Sequence, residues 1–300
     1  MRILRSHAAV SKKKSVSKKK GKGQASRLSL QHLKAGGVVG IFGNEAKVHD
    51  ADIRRFTEKL LALLRQSFPH LELRMRTSIS KREIHEKLNS LDARFGVKLF
   101  VSTAGIAPDG GIIEVLDKQG RWRVILIGES KHQGNDVQNI AAGCRTKVME
   151  KKCQYIMPAG NAIERVHKNI QEMKNFMLGE NHFPYVVFLQ GSNFATEALT
   201  VQWPDGPLIP IRPSDSNINR IDRVTASNYG MEINRIYCKN VLIERPSGSM
   251  MLQVTTIYAQ CDLFDSNCML DVLWTMALTS LEVLADDLPA GGDSAVKVGK

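Results

Sequence analysis

No acidic residue precedes Glu45 in this 300-residue chain, only five cysteines occur, and aromatic residues make up 6%. The cysteines are Cys144, Cys153, Cys238, Cys261 and Cys268. An odd number without a C-x-x-C pair argues against a disulfide framework and against a zinc site, so they read as reduced thiols. A long hydrophobic run is also missing. The most apolar stretch, Met269 to Ala285, is broken by Asp271 and Glu282 and is shorter than the ~20 residues a membrane span needs. Met1-Arg2-Ile3-Leu4-Arg5 has no apolar segment behind it, unlike a secretory signal. These absences predict a cytoplasmic protein with no membrane partner.

Familiar catalytic signatures are absent too. The chain has no H-E-x-x-H, no G-x-S-x-G and no G-x-x-x-x-G-K-[ST]. Gly37-Val38-Val39-Gly40-Ile41-Phe42-Gly43 is glycine-rich but does not fit G-x-G-x-x-G, and it reads as close backbone packing. The eight histidines show no ligand spacing. No internal repeat and no Pro/Ser/Gly linker interrupts the middle of the chain.

What remains is an ordinary folded composition, 43% hydrophobic and 24% charged, which excludes a disordered chain and a collagen. The net charge of +12 is uneven: of 42 cations, eleven precede Glu45, leaving 31 against 30 acids in the rest. The basic character is therefore an arm. Residues 1–26 are Lys-, Ser- and Gly-rich and are expected to be disordered. The arm reads equally as a solubilising or targeting tail and as a DNA-tracking segment.

From Asp52 the pattern is helical, with Ile53, Phe56, Leu60, Leu63 and Leu64 on one stripe. Ser80 to Leu91 repeats this more weakly, and Leu99-Phe100-Val101 reads as a short strand. Ile112, Ile113, Val115 and Leu116 predict a strand, Asp117 to Gly120 a turn, and Arg121 to Lys131 a long return strand. After a polar stretch over 132–156, Ile163, Val166, Ile170, Met173 and Met177 mark a helix, and Phe183 to Leu189 a buried strand. Strand, helix, strand is a crossover unit, so the central sheet is predicted to be mixed and flanked by helices, an α/β fold. Residues 192–217 read as loop, Ser249 to Tyr258 as a strand and Ser266 to Leu284 as a helix. One domain is expected over 27–288, with a loose tail over 289–300.

The chemistry concentrates at Pro108-Asp109-Gly110-Gly111 and Glu129-Ser130-Lys131. If the turn centres on Lys118 and Gln119, residue 113 faces 124 and Asp109 faces about 128, within one residue. Both carboxylates then emerge at the same end of adjacent strands, and Glu129 and Lys131 share a face. Paired carboxylates with open positions suit Mg²⁺, which keeps waters and takes up phosphate. With a lysine beside them they are equipment for cutting a phosphodiester. The plainer reading is a group of solvated charges at strand ends. Glu114 and Asp117 show no such convergence and are taken as surface groups. Asn161-x-x-Glu164 before an apolar-periodic run is, on its own, a helix cap with a box-like glutamate.

The same segments, together with Gly40-Ile41-Phe42-Gly43, Ala159 to Arg165, Phe183-Pro184-Tyr185, Gly191-Ser192-Asn193-Phe194 and Asn219-Arg220-Ile221-Asp222-Arg223, resemble the EcoRI restriction endonuclease family in order and interval, from about Arg27 to Leu284. The resemblance implies a P-D…E-x-K fold and a bacterial, homodimeric, Mg²⁺-dependent endonuclease. It implies cleavage of double-stranded DNA after the G of the palindrome GAATTC, alongside a methyltransferase that protects the host. Asp109 and Glu129 match the family's metal-holding carboxylates, and Lys131 matches its catalytic lysine. Asn161 and Arg165 match adenine readers, Met157 and Ala162 match positions touching pyrimidines, and Glu164 matches a residue that fixes the network. Arg220 and Arg223 match arginines near the outer G·C pairs. Asn suits adenine and Arg suits guanine on general grounds. The sequence departs from the family pattern at Ser130, where alanine is usual, and at Pro158, which restricts Met157 to extended geometry. A nuclease of the same fold reading DNA structure, and a DNA-binding protein without catalysis, are the rival readings.

Overall fold

The computed structural model describes residues 44–95, 103–143, 161–213, 241–246, 248–252 and 255–291. The basic segment 1–26, the expected strand Leu99-Phe100-Val101, and Met157, Arg220 and Arg223 lie outside the described residues, as does most of the C-terminal tail.

The expected helix from Asp52 is longer than its apolar stripe: α1 spans Asn44–Ser67. Ile53, Leu60 and Leu64 are fully buried. The helix stops before Phe68-Pro69, because the residue preceding a proline is pushed out of helical geometry. A second helix, α2 (Lys81–Leu91), starts on a complete capping box. The Ser80 hydroxyl accepts from the Glu83 N–H at 3.2 Å, and the Glu83 carboxylate accepts from the Ser80 N–H at 2.9 Å.

Between and after these helices lie β1 (Leu73–Arg76), β2 (Ile79–Ser80), β3 (Gly105–Ile106), β4 (Gly111–Leu116) and β5 (Trp122–His132). A short helix, α3 (Asp136–Ala141), and the long α4 (Asn161–Phe176) lead to β6 (Tyr185–Gln190). The chain continues through β7 (Leu199–Gln202), β8 (Leu208–Ile211), β9 (Val241–Arg245), β10 (Gly248–Leu252), β11 (Thr256–Gln260) and α5 (Ser266–Val283).

Five strands form the central sheet in the order β1-β4-β5-β6-β11. β1, β4 and β5 pair antiparallel, whereas β5, β6 and β11 run parallel. The mixed sheet expected from the crossover pattern is present, with α4 in the connection between the parallel neighbours β5 and β6. One core cluster unites α1, α5 and one face of the sheet through Leu60, Leu64, Ile113, Phe188, Leu273 and Met276. A second unites α2, α4 and the other face through Ile84, Val166, Ile170, Ile127 and Val187. No helix among the described residues is long and apolar enough to cross a membrane.

The β4–β5 hairpin forms where expected but in a shifted register. Leu116 pairs with Trp122 and Ile113 with Leu126, so 113 does not face 124. The turn brings Gly120 to φ +74°. A second shift follows between Ile113 and Glu114, where Ile125 is the unpaired extra residue of a β-bulge. Side chains before and after the bulge keep to one face despite opposite numerical parity: Val124 and Ile127 both enter the second cluster.

Three other expectations are corrected. Residues 249–258 are not one strand: β10 pairs with β9 in a separate ribbon, and β11 joins the central sheet. The 192–217 loop contains the β7–β8 hairpin, which buries Val201 and Ile211 against Ile140 and Cys261. Glu114 and Asp117 are not surface groups, being 1% and 4% exposed. Glu114 accepts from the Arg74 guanidinium at 2.6 Å across the β1–β4 pair. Asp117 accepts from the Gln119 and Arg121 N–H groups at 3.0 and 2.8 Å, which closes the hairpin turn. Strand β1 carries little apolar sequence, and it is the partner whose arginines bury Glu114.

Candidate active site

Pro108-Asp109-Gly110-Gly111 makes a tight turn into β4, with the Gly111 N–H donating to the Pro108 carbonyl at 3.0 Å. Gly111 has φ +79°, a region a side chain rarely adopts. At Gly110 a Cβ would meet Ile53 Cγ1 at 2.9 Å and the Gly128 carbonyl oxygen at 3.0 Å. The Gly110 N–H donates to that carbonyl at 3.0 Å, so only glycine lets the turn lie this close to β5. This seats Asp109 beside the C-terminal half of β5, which carries Glu129 and Lys131.

The three charges meet. The Lys131 ammonium pairs with Asp109 Oδ2 and, at 2.8 Å, with Glu129 Oε1. Glu129 is fully buried, while Asp109 and Lys131 side chains keep 20% and 17% of their surface. The site opens at the Asp109–Lys131 side and has its floor at Glu129. It lies along the C-terminal half of β5, where Glu129 and Lys131 pair with Val187 and Leu189 of β6.

Two residues to which the sequence assigned no role complete the floor. The Asn169 amide of α4 donates to both Glu129 oxygens, at 3.2 and 3.3 Å. The Tyr185 hydroxyl of β6 donates to Glu129 Oε2 at 3.1 Å. A signal for each existed. A tyrosine in a fully buried strand needs a partner for its hydroxyl, and Asn169 lies two helical turns beyond Asn161.

Burial pushes the Glu129 carboxyl above its ordinary value, and the Asp109 charge adds to this while Lys131 opposes it. For Lys131, burial works against the ammonium, but the attraction of Glu129 and Asp109 outweighs it and raises the pKa. Burial, followed by the Glu129 charge, holds the Tyr185 phenol far above its usual range. Lys131 and Tyr185 are therefore proton-bearing donors, arranged around an acceptor that is costly to leave alone.

Among the described residues no cluster of three or more His, Cys, Asp or Glu side chains is arranged to hold a metal. The donor set nevertheless fits a hard divalent cation. Two carboxylates converge on one positive point, now the Lys131 ammonium, and a third oxygen ligand can come from a substrate phosphate, as at Mg²⁺ sites.

Of the base-reading candidates, Asn161 opens α4. Ala162 is half-buried against the second core cluster, and Glu164 and Arg165 are exposed. What caps the helix lies outside the described residues.

A protein-family model described as restriction endonuclease EcoRI matches residues 35–291. The chain is 51% identical over 271 residues to the type II restriction enzyme RsrI of Cereibacter sphaeroides, covering 90% of this chain and 96% of that one. It is 46% identical over 269 residues to the type II restriction enzyme EcoRI of Escherichia coli, covering 89% and 96%.

Proposed function

Because the chain belongs to the EcoRI family of type II restriction endonucleases, a family of metal-dependent nucleases acting on DNA, we propose that it cuts duplex DNA after the G of GAATTC. In this reading it works as a Mg²⁺-dependent homodimer, with a methyltransferase protecting the host genome. The observation that carries it is the meeting of Asp109, Glu129 and Lys131 at one point. The 46–51% identity to two type II restriction enzymes supports the same reading.

The reaction is hydrolysis. A water oxygen bonds to phosphorus, the bond from phosphorus to the 3′ oxygen breaks, and the products are a 3′-hydroxyl and a 5′-phosphate. Asp109 and Glu129 would hold the divalent cation, which when bound polarises the phosphoryl oxygen and acidifies bound water. Lys131 is protonated, so it donates: it orients the attacking water or neutralises the non-bridging oxygens. Burial of Glu129 keeps its carboxylate in one orientation before substrate arrives, and preorganised charge is effective where water is excluded.

Base reading falls to Met157, Asn161, Ala162, Glu164 and Arg165 at the start of α4, and to Arg220 and Arg223 for the outer pairs. A twofold dimer matches a twofold-symmetric site. Residues 27–288 act as one domain in this reading, and 1–26 as a DNA-tracking arm.

Digestion of a plasmid of known sequence is the direct test. Discrete fragments ending at each GAATTC, produced in Mg²⁺ and suppressed by EDTA, are the expected outcome. Discrete fragments at another site would replace the specificity and keep the enzyme class. Nicking that follows DNA structure, or no cleavage in any divalent metal, would refute the proposal.

A further inference from the structure

Glu129 is gripped from two different elements. On one side stands Tyr185 of β6, a neighbour in the parallel sheet that is itself fully buried. On the other stands Asn169, which reaches Glu129 from α4 with a single amide nitrogen shared between both carboxylate oxygens. The sheet partner is part of a rigid core. The helix partner belongs to the element whose first turn carries the base-reading candidates.

Positions 161, 165 and 169 recur at four-residue steps, so they succeed one another along one side of α4. Eight residues of helix cover about 12 Å. A helix this short moves as a stiff unit, so a shift of its N-terminal turn against a DNA groove also displaces Asn169 relative to the sheet. The two Asn169 bonds, at 3.2 and 3.3 Å, are longer than the ~2.9–3.0 Å optimum for N–H···O bonds. Movement of the helix toward the sheet would shorten and strengthen both bonds, and movement away would lengthen and weaken both. Catalytic hydrogen bonds that are long before substrate binds commonly tighten in the complex.

We propose that Asn169 is a positioning residue that couples the seating of α4 on DNA to the alignment of the Glu129 carboxylate, so that the rate of cleavage, beyond the strength of binding, depends on the sequence read. The inference rests on the proposed function, in which Glu129 serves cleavage and the start of α4 reads bases. Tyr185 is its internal control. It also donates to Glu129, but from the sheet, so it supports the carboxylate equally whatever α4 has met.

The test compares Asn169→Ala and Tyr185→Phe with the unaltered enzyme. The substrates are a GAATTC duplex and a duplex differing at one base pair, each measured by gel-shift affinity and by single-turnover cleavage in Mg²⁺. Alanine is the best helix former, and Asn169 is only half-buried, so Asn169→Ala should fold. Its affinity for the GAATTC duplex should stay within a few-fold. Its cleavage of that duplex should fall about tenfold to a hundredfold, the effect of removing a hydrogen bond to a charged group. Its cleavage of the altered duplex should fall much less, so the ratio of the two rates shrinks. Tyr185→Phe should slow both substrates by one factor and leave the ratio unchanged.

An Asn169→Ala enzyme that slows both duplexes equally would overturn the coupling, as would one that cuts GAATTC at full rate. Glu129→Gln separates the two levels. If it is inactive while Asn169→Ala is normal, the coupling alone fails. If it cuts normally, the assignment of the site fails and the coupling with it.

Discussion

A carboxylate with no exposed surface is expensive, and Glu129 is tolerated because donors surround both of its oxygens: the Asn169 amide, the Tyr185 hydroxyl and the Lys131 ammonium. Glutamine keeps the shape and removes the charge. In Glu129→Gln the fold should hold, and specific DNA binding without metal should persist or tighten, because like charge near the scissile phosphate is reduced. Cleavage should fall by several orders of magnitude, since a metal ligand is removed and a bound metal supplies several kcal/mol of transition-state stabilisation, at about 1.4 kcal/mol per tenfold. Gel shift without Mg²⁺ and single-turnover cleavage with it measure both effects. Near-normal cleavage would take Glu129 out of the active site.

The β4–β5 hairpin is the element that makes the site, and its two ends are built differently. At the catalytic end glycines allow close approach. At the turn end, ion pairs tie the hairpin to the rest of the protein: the Arg123 guanidinium bridges Asp117 at 3.5 Å, Asp287 at 3.0 Å and Glu180. Burial alone would raise the Asp117 carboxyl, but the N–H groups of Arg121 and Gln119 and the Arg121 side chain more than offset it, so its pKa is lowered from 3.8. A depressed folded-state value means the stabilisation is fully present above the ordinary carboxylate range and disappears as pH falls through the folded value. Asp117→Asn should therefore cost about 1–3 kcal/mol in urea unfolding at neutral pH. The gap from the unaltered protein should begin to narrow below about pH 4, where the unfolded chain takes up the proton first, and should go on narrowing until the folded protein takes it up too. A gap that does not change with pH would show that the Asp117 charge is not what stabilises the turn.

At the scale of the whole molecule, charge is segregated. Of the eleven cations ahead of Glu45, nine lie within residues 1–22, and the rest of the chain is close to neutral. Removing residues 1–22 should leave the choice of cleavage site unchanged and flatten the salt dependence of non-specific DNA binding. For every phosphate that the shortened chain no longer neutralises, the slope of log affinity against log salt should become shallower by about 0.9. Titrations of a site-free duplex across a range of salt concentrations give the slope, and an unaltered slope would exclude the arm from touching DNA.

Much of the fold was legible in local pattern. The stripes of α1 and α4, the hairpin with Gly120 at its close, the crossover that makes β5 and β6 parallel, and the meeting of Asp109, Glu129 and Lys131 follow from periodicity, turn chemistry and strand alternation over short stretches. The tertiary structure alone decided the rest, because the partners are remote in the chain. The bulge leaves Ile125 unpaired, and a run of apolar residues carries no mark of which one is extra. Glu114 reads as a surface acid until β1, forty residues away, lays Arg74 beside it. Asn169 and Tyr185 are forty and 56 residues from Glu129. No local spacing joins them, and only the packing of α4 and β6 around β5 brings a neutral amide and a phenol to the carboxylate they hold.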